Sequence, residues 1–273
     1  MKKRIAVIFG TRPELIKVAP LFSVYKKVES QEWPIEFIPV CTGQHKELLN
    51  GLIDLFEIQN TIYLDVPNNK PNLTALTSAI LSEFSNSIIQ NGSVDGVIVQ
   101  GDTTTTMVAS LYAFYNKIPV FHIEAGLRTN NIFSPYPEEG NRRIVSQLGQ
   151  LHFCPTEEAM ANLLHENFNP RNLFVTGNTV IDSLDWVLKN KINDGYYKSV
   201  LPGEAPELHE VLENVGRSPV VLVTMHRREN QGDVLHGVFE VFADITKKYK
   251  EVHFIYPVHK NPNVVSVANE WLT

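Results

Sequence analysis

Gly96-Val97-Ile98-Val99-Gln100-Gly101-Asp102-Thr103-Thr104-Thr105-Thr106 decides the fold. Its apolar run is short and does not alternate, so it reads as a strand buried on both faces, as in a parallel sheet. It breaks at Gly101-Asp102, and the threonines open a helix over 104–116. The same pattern recurs three times. Ile5–Phe9 runs into Gly10-Thr11-Arg12-Pro13-Glu14, Pro119–Ile123 into Glu124-Ala125-Gly126-Leu127-Arg128, and Val220–Thr224 into Met225-His226-Arg227-Arg228-Glu229-Asn230. Ligands of open parallel sheets bind beyond the carboxyl ends of the strands. These clusters therefore converge on a cleft holding both cations and carboxylates, which suits chemistry on an anionic substrate.

The rest of the chain fits an α/β protein. Strands are predicted at 4–9, 36–40, 96–100, 119–123, 151–154 and 173–176, with helices at 13–27, 46–56, 73–90, 104–116, 138–148 and 157–165 between them. This alternation implies a parallel sheet with helices on both faces. A helix over 180–191 precedes a polar stretch marked by Pro and Gly, 193–219. A second series then begins: strand 220–224, helix 234–248, strand 253–256. We place one domain at 1–170 and a second, incomplete one at 171–273, because two strands and about two helices fall short of a typical doubly wound domain.

Composition narrows the function. With 273 residues, 43% hydrophobic and 20% charged, the chain is an ordinary globular one, and a net charge of −6 gives no global field for nucleic acid or membrane. No apolar run approaches the ~20 residues of a spanning helix. Cys41 and Cys154 fit a reducing cytoplasm and form no metal spacing.

Each cluster also has a bland explanation. Thr11 with Glu14 fits a capping box, and Pro13 suits an early helical position, so both Thr11 and Glu14 read as structural. Arg12 and Lys17, at a helix start behind Gly10, read as anion contacts. Asp102 fits an N-cap, but its place at a central strand end favours function. Glu124 is a candidate base for proton abstraction, against a simple salt bridge with Arg128. His122-x-Glu124 lacks the cysteine pair of zinc deaminases, so no metal is expected. Glu138 and Glu139 suit a helix N-terminus, and Glu138 with Arg142 is an i,i+4 pair. His226 beside two arginines reads as a ligand contact. His259-Lys260 and Gln44-His45-Lys46 add polar edges.

Together the segments GTRPELIKVAP (10–20), TGQH (42–45), QGDTTTT (100–106), HIEAGLRT (122–129), PEEGNR (137–142), GNTVID (177–182), HRREN (226–230) and PVHKNPNV (257–264) resemble the non-hydrolysing UDP-N-acetylglucosamine 2-epimerase family. The resemblance implies two Rossmann-like lobes of the glycosyltransferase-B type. It implies interconversion of UDP-GlcNAc and UDP-ManNAc without a cofactor, by elimination of UDP to 2-acetamidoglucal and re-addition, in surface polysaccharide synthesis. It makes Asp102, Glu124 and Glu138 the acid/base set, and Arg12, Lys17, His226 and Arg142 substrate contacts. Gln44, His45, Arg227 and His259 fall in segments tied to an allosteric second substrate molecule. A cytoplasmic homodimer is implied as well. The family pattern continues past Thr273 into an Asp-Ser-Gly-Gly segment, and no Gly-Gly pair occurs here, so the second lobe is expected to be truncated. Two competing functions are an inactive sugar-nucleotide-binding fragment and a glycosyltransferase of the same fold.

Overall fold

The computed structural model describes residues 2–28, 33–43, 46–66, 72–86, 94–192, 208, 217–225, 232–258 and 262–271. The chain divides into two compact units, Met1–Asn190 and Lys191–Thr273.

The first unit is a seven-stranded parallel sheet. Its strands are β1 (Lys3–Phe9), β2 (Ile35–Cys41), β3 (Ile62–Tyr63), β4 (Gly96–Gln100), β5 (Val120–Ile123), β6 (Leu151–Cys154) and β7 (Leu173–Val175), in the order β3-β2-β1-β4-β5-β6-β7. β1 pairs with β2 from Lys3↔Ile35 to Phe9↔Cys41, and β4 pairs with β5 from Val97↔Val120 to Gln100↔Ile123. The helices are α1 (Arg12–Val28), α2 (Lys46–Leu55), α3 (Leu73–Ser85), α4 (Thr104–Tyr115), α5 (Glu138–Leu148), α6 (Glu157–His165) and α7 (Val180–Val187), the last continued by a π-helical turn, Leu188–Ile192.

Side-chain alternation along β1 explains the layering. Ala6 and Ile8 join Ile80 and Phe84 of α3, Val108 and Tyr112 of α4, and Val145 of α5 in one core. Ile5, Val7 and Phe9 join Leu15 and Val18 of α1, Leu49 and Ile53 of α2, and Trp186 by α7 in another. Both faces are thus covered, as the non-alternating strands require. β7 and α7 stay in the first unit, because α7 packs on α1 and the Ser183 hydroxyl donates to the Ile16 carbonyl. That unit therefore runs past residue 170.

In the second unit, β8 (Val220–Leu222) pairs in parallel with β9 (His253–Ile255). Helices α8 (Asp233–Lys248) and α9 (Pro262–Trp271) close a small core of Leu235, Phe239, Val264, Val267 and Ala268. α9 lies where the sequence suggested only a polar edge, and β3 is a two-residue strand absent from the sequence reading. No described helix is long and apolar enough to cross a membrane.

Candidate active site

The strand order reverses between β1 and β4, so the turns after these two strands open side by side at the sheet's carboxyl edge. Among the described candidates, Arg12, Lys17, Asp102 and Glu124 follow β1, β4 and β5, while Glu138 and Arg142 lie on α5.

Glu14 ties the two turns together. Its side chain is buried, and Oε2 accepts the Gly10 and Thr11 amides at 2.9 and 2.7 Å. Its Oε1 accepts the Thr103 hydroxyl at 2.5 Å and lies 3.1 Å from that of Thr106. The Thr11 contact is the capping-box bond expected of a third helical residue. The bonds to Thr103 and Thr106 are cross-element, and capping rules do not foresee them. Burial pushes the Glu14 carboxyl above its usual range, although its hydrogen bonds pull it down.

Asp102 is not a helix cap. Thr103 is the N-cap of α4, its hydroxyl accepting from the Thr106 amide, and this frees the Asp102 side chain. Gly101, at φ +73°, turns the chain there, a conformation that suits a residue without Cβ. The Asp102 carboxylate accepts from Arg142 Nη2 at 2.5 Å. Burial raises its pKa, Arg142 opposes this, and the charges of Glu124 and Glu138 add to the rise. Arg142 also approaches Glu139 at 3.5 Å, so it bridges α5 to β4 and makes no pair with Glu138. Glu138 Oε2 is buried and has no hydrogen-bond partner among the described residues. Glu139, by contrast, is consumed structurally by Arg143 and the Thr129 amide. Burial would raise its pKa, but these donors hold it below the usual range.

Glu124 leaves β5 at φ +65°, the left-handed region, which is strained for a residue carrying a side chain. Its carboxylate meets Lys17 Nζ at 2.6 and 2.7 Å, Gln100 Nε2 at 2.5 Å and Asn178 Nδ2 at 3.5 Å. Lys17, read as an anion contact, is thus the partner of Glu124. Arg128, suggested for that place, instead forms a two-pronged pair with Glu166 at 2.7 and 2.8 Å. His122 is fully buried and bonds Gly101 O through Nε2 at 2.8 Å. Burial lowers its pKa to about 3, so it is neutral at any ordinary pH and donates this bond.

Arg12 is exposed at the start of α1 and makes no ion pair with another described residue. Gln44, His45, His226, Arg227 and His259 lie outside the described residues. Among the described residues no cluster of potential metal ligands occurs. A cavity of about 690 Å³ lies elsewhere, walled by Phe22, Phe37, Phe56 and Trp186, and holds none of the candidates.

Gln100, Glu14 and His122 were not read as site residues from sequence. QGDTTTT contained Gln100, but only the register of β4 against β5 brings it to Glu124.

A doubly wound parallel sheet with carboxylates and cations at its switch point, followed by a second α/β unit, defines an α/β protein of the glycosyltransferase-B-like class. A family model described as UDP-N-acetylglucosamine 2-epimerase matches residues 26–273. The chain belongs to this family of isomerases. It is 40% identical to the UDP-N-acetylglucosamine 2-epimerase of Yersinia pestis, over 98% of this chain and 69% of that one. The structure of the Neisseria meningitidis UDP-GlcNAc 2-epimerase bound to UDP-GlcNAc matches with a TM-score of 0.79 at 39% identity, covering 98% of this chain and 69% of that chain. The S. aureus MnaA–UDP structure matches with a TM-score of 0.79 at 37% identity, covering 99% and 66%. The chain thus spans about two thirds of the length of these relatives.

Proposed function

We propose that this protein epimerises UDP-GlcNAc and UDP-ManNAc at C2, eliminating and re-adding UDP through 2-acetamidoglucal. The observation that carries the reading is the acidic set at the sheet edge. Asp102 feels the charges of both Glu124 and Glu138, so the three carboxyls share one electrostatic site. Epimerisation needs such a set. One group takes the C2 proton as the C1–oxygen bond to UDP breaks, and another returns a proton to the opposite face as UDP adds back. Glu124, held by Lys17, is our candidate for removing the proton. Asp102, pushed up by burial, is suited to carrying one. Glu138 offers a third carboxyl, whose buried oxygen has no partner among the described residues. Arg12, Arg142 and His226 are the proposed nucleotide-sugar contacts, and Gln44, His45, Arg227 and His259 the proposed site of a second substrate molecule.

We place the protein in the cytoplasm, as a homodimer serving surface polysaccharide synthesis. Cys41 and Cys154 are buried and form no disulfide among the described residues, which suits a reducing compartment. The test is incubation with UDP-GlcNAc in deuterated water, followed by proton NMR. UDP-ManNAc bearing deuterium at C2 is expected. Product retaining the original hydrogen, or no product, would refute the reading.

A further inference from the structure

Glu124 carries the proton in the proposed reaction, and its carboxylate has to face C2 without drifting. Its own backbone does not secure this, because φ +65° is a conformation that the surroundings must enforce. Lys17 cannot aim it alone. The Lys17 ammonium meets both oxygens at nearly equal distances and is a point charge on a flexible stem. Asn178 stands at the limit of hydrogen bonding.

Gln100 differs from both. It is the last residue of β4, only 2% exposed, so its side chain is held by the core. Its backbone is paired with Ile123, the residue before Glu124, and its carbonyl accepts the Thr106 hydroxyl at 2.6 Å. From that rigid base its Nε2 donates to one oxygen only, Oε2, at 2.5 Å. A directional donor on a strand selects one carboxylate oxygen, Oε2, while Oε1 is met by Lys17 and, at longer range, by Asn178.

We propose that Gln100 is a positioning residue for Glu124, its side-chain amide fixing the orientation in which that carboxylate meets C2 of the sugar. The inference rests on the reading of Glu124 as the group that takes the C2 proton. A shift of about 1 Å in a reacting group costs on the order of 100-fold in rate, while ligand binding can be untouched.

The test uses Gln100→Met, which keeps the length without the donor, and Gln100→Asn, which keeps the donor one methylene short. Exchange of the C2 hydrogen in deuterated water gives kcat and KM for UDP-GlcNAc, and calorimetry gives the affinity for UDP. Both variants should lose roughly 10- to 100-fold in kcat, with KM and UDP affinity within about two-fold of the parent. Unchanged kcat, or equal losses in kcat and binding, would overturn the proposal. A thermal-unfolding cycle of Gln100→Met, Glu124→Ala and the double variant needs no turnover. Its midpoint changes should be non-additive by a few degrees, and additive changes would also overturn it. If the parent shows no exchange, the epimerase reading fails by itself, and the cycle alone then decides whether Gln100 holds Glu124.

Discussion

Replacing Glu14 separates a hydrogen-bonding role from a charge role. In Glu14→Ala the Gly10 and Thr11 amides lose their acceptor, and the Thr103 hydroxyl loses its own. Each buried amide left unsatisfied costs about 1–3 kcal/mol. Removing the buried carboxyl recovers part of this, so the net loss should be about 3 kcal/mol, or roughly 10 °C in the midpoint. In Glu14→Gln the amide oxygen keeps both N–H groups, and its NH2 meets two threonine hydroxyl oxygens that can rotate to accept. That variant should lose under about 1 kcal/mol near neutral pH. The folded pKa of Glu14 is raised, so its stabilising contribution is full below about 4.3, the unfolded value, and is lost as pH rises through the folded value. Glu14→Gln cannot ionise and escapes that loss. Its midpoint should therefore trail the parent's most at pH 4 and close on it, or pass it, by pH 7.5. Scanning calorimetry across this range measures both effects. Equal midpoints for Ala and parent, or a gap between Gln and parent that widens with pH, would refute the reasoning.

Glu124→Gln should lower C2 exchange by at least about 10³-fold while the protein stays folded by circular dichroism; near-parental exchange would remove Glu124 from the reaction. Arg12→Ala, a change at an exposed side chain, should weaken UDP binding about 10-fold in calorimetry with the melting temperature within about 1 °C. Gly126→Ala would place a Cβ 2.1 Å from the Ala159 carbonyl oxygen at φ +87°. It should cost at least about 3 kcal/mol or abolish soluble expression, and a normal melt would contradict the close approach of the turn after β5 to α6.

The sheet was legible because each of its strands, β3 excepted, is a mostly apolar run, and β1, β4 and β5 break at once into Gly or Glu. The limits of β4, β6, α5 and α6 coincide with the sequence reading. β3 escaped because two residues carry no periodicity. α9 escaped because the polar run His259–Asn263 hid a helix start at Pro262. The carboxylates were legible as types at strand ends, but their partners were not. Local spacing pointed Glu124 to Arg128 and Glu138 to Arg142. The structure pairs Glu124 with Lys17, and Arg142 with Asp102. Those pairs depend on which strands are neighbours, and strand order is not a local property of sequence. Asp102 shows the same limit at short range. Asp and Thr both cap helices well, and the left-handed turn at Gly101 hands the cap to Thr103.

The bond from His122 to Gly101 bears on how acid would act on this protein. An imidazole is ordinarily the first side chain suspected when activity fades between pH 5 and 7. This one gains its second proton only near pH 3. Mild acid therefore leaves the Gly101–Asp102 turn latched to β5. A fall in activity across the mildly acidic range points away from His122 and towards another titrating group, such as Asp102 in the same turn, whose pKa burial raises.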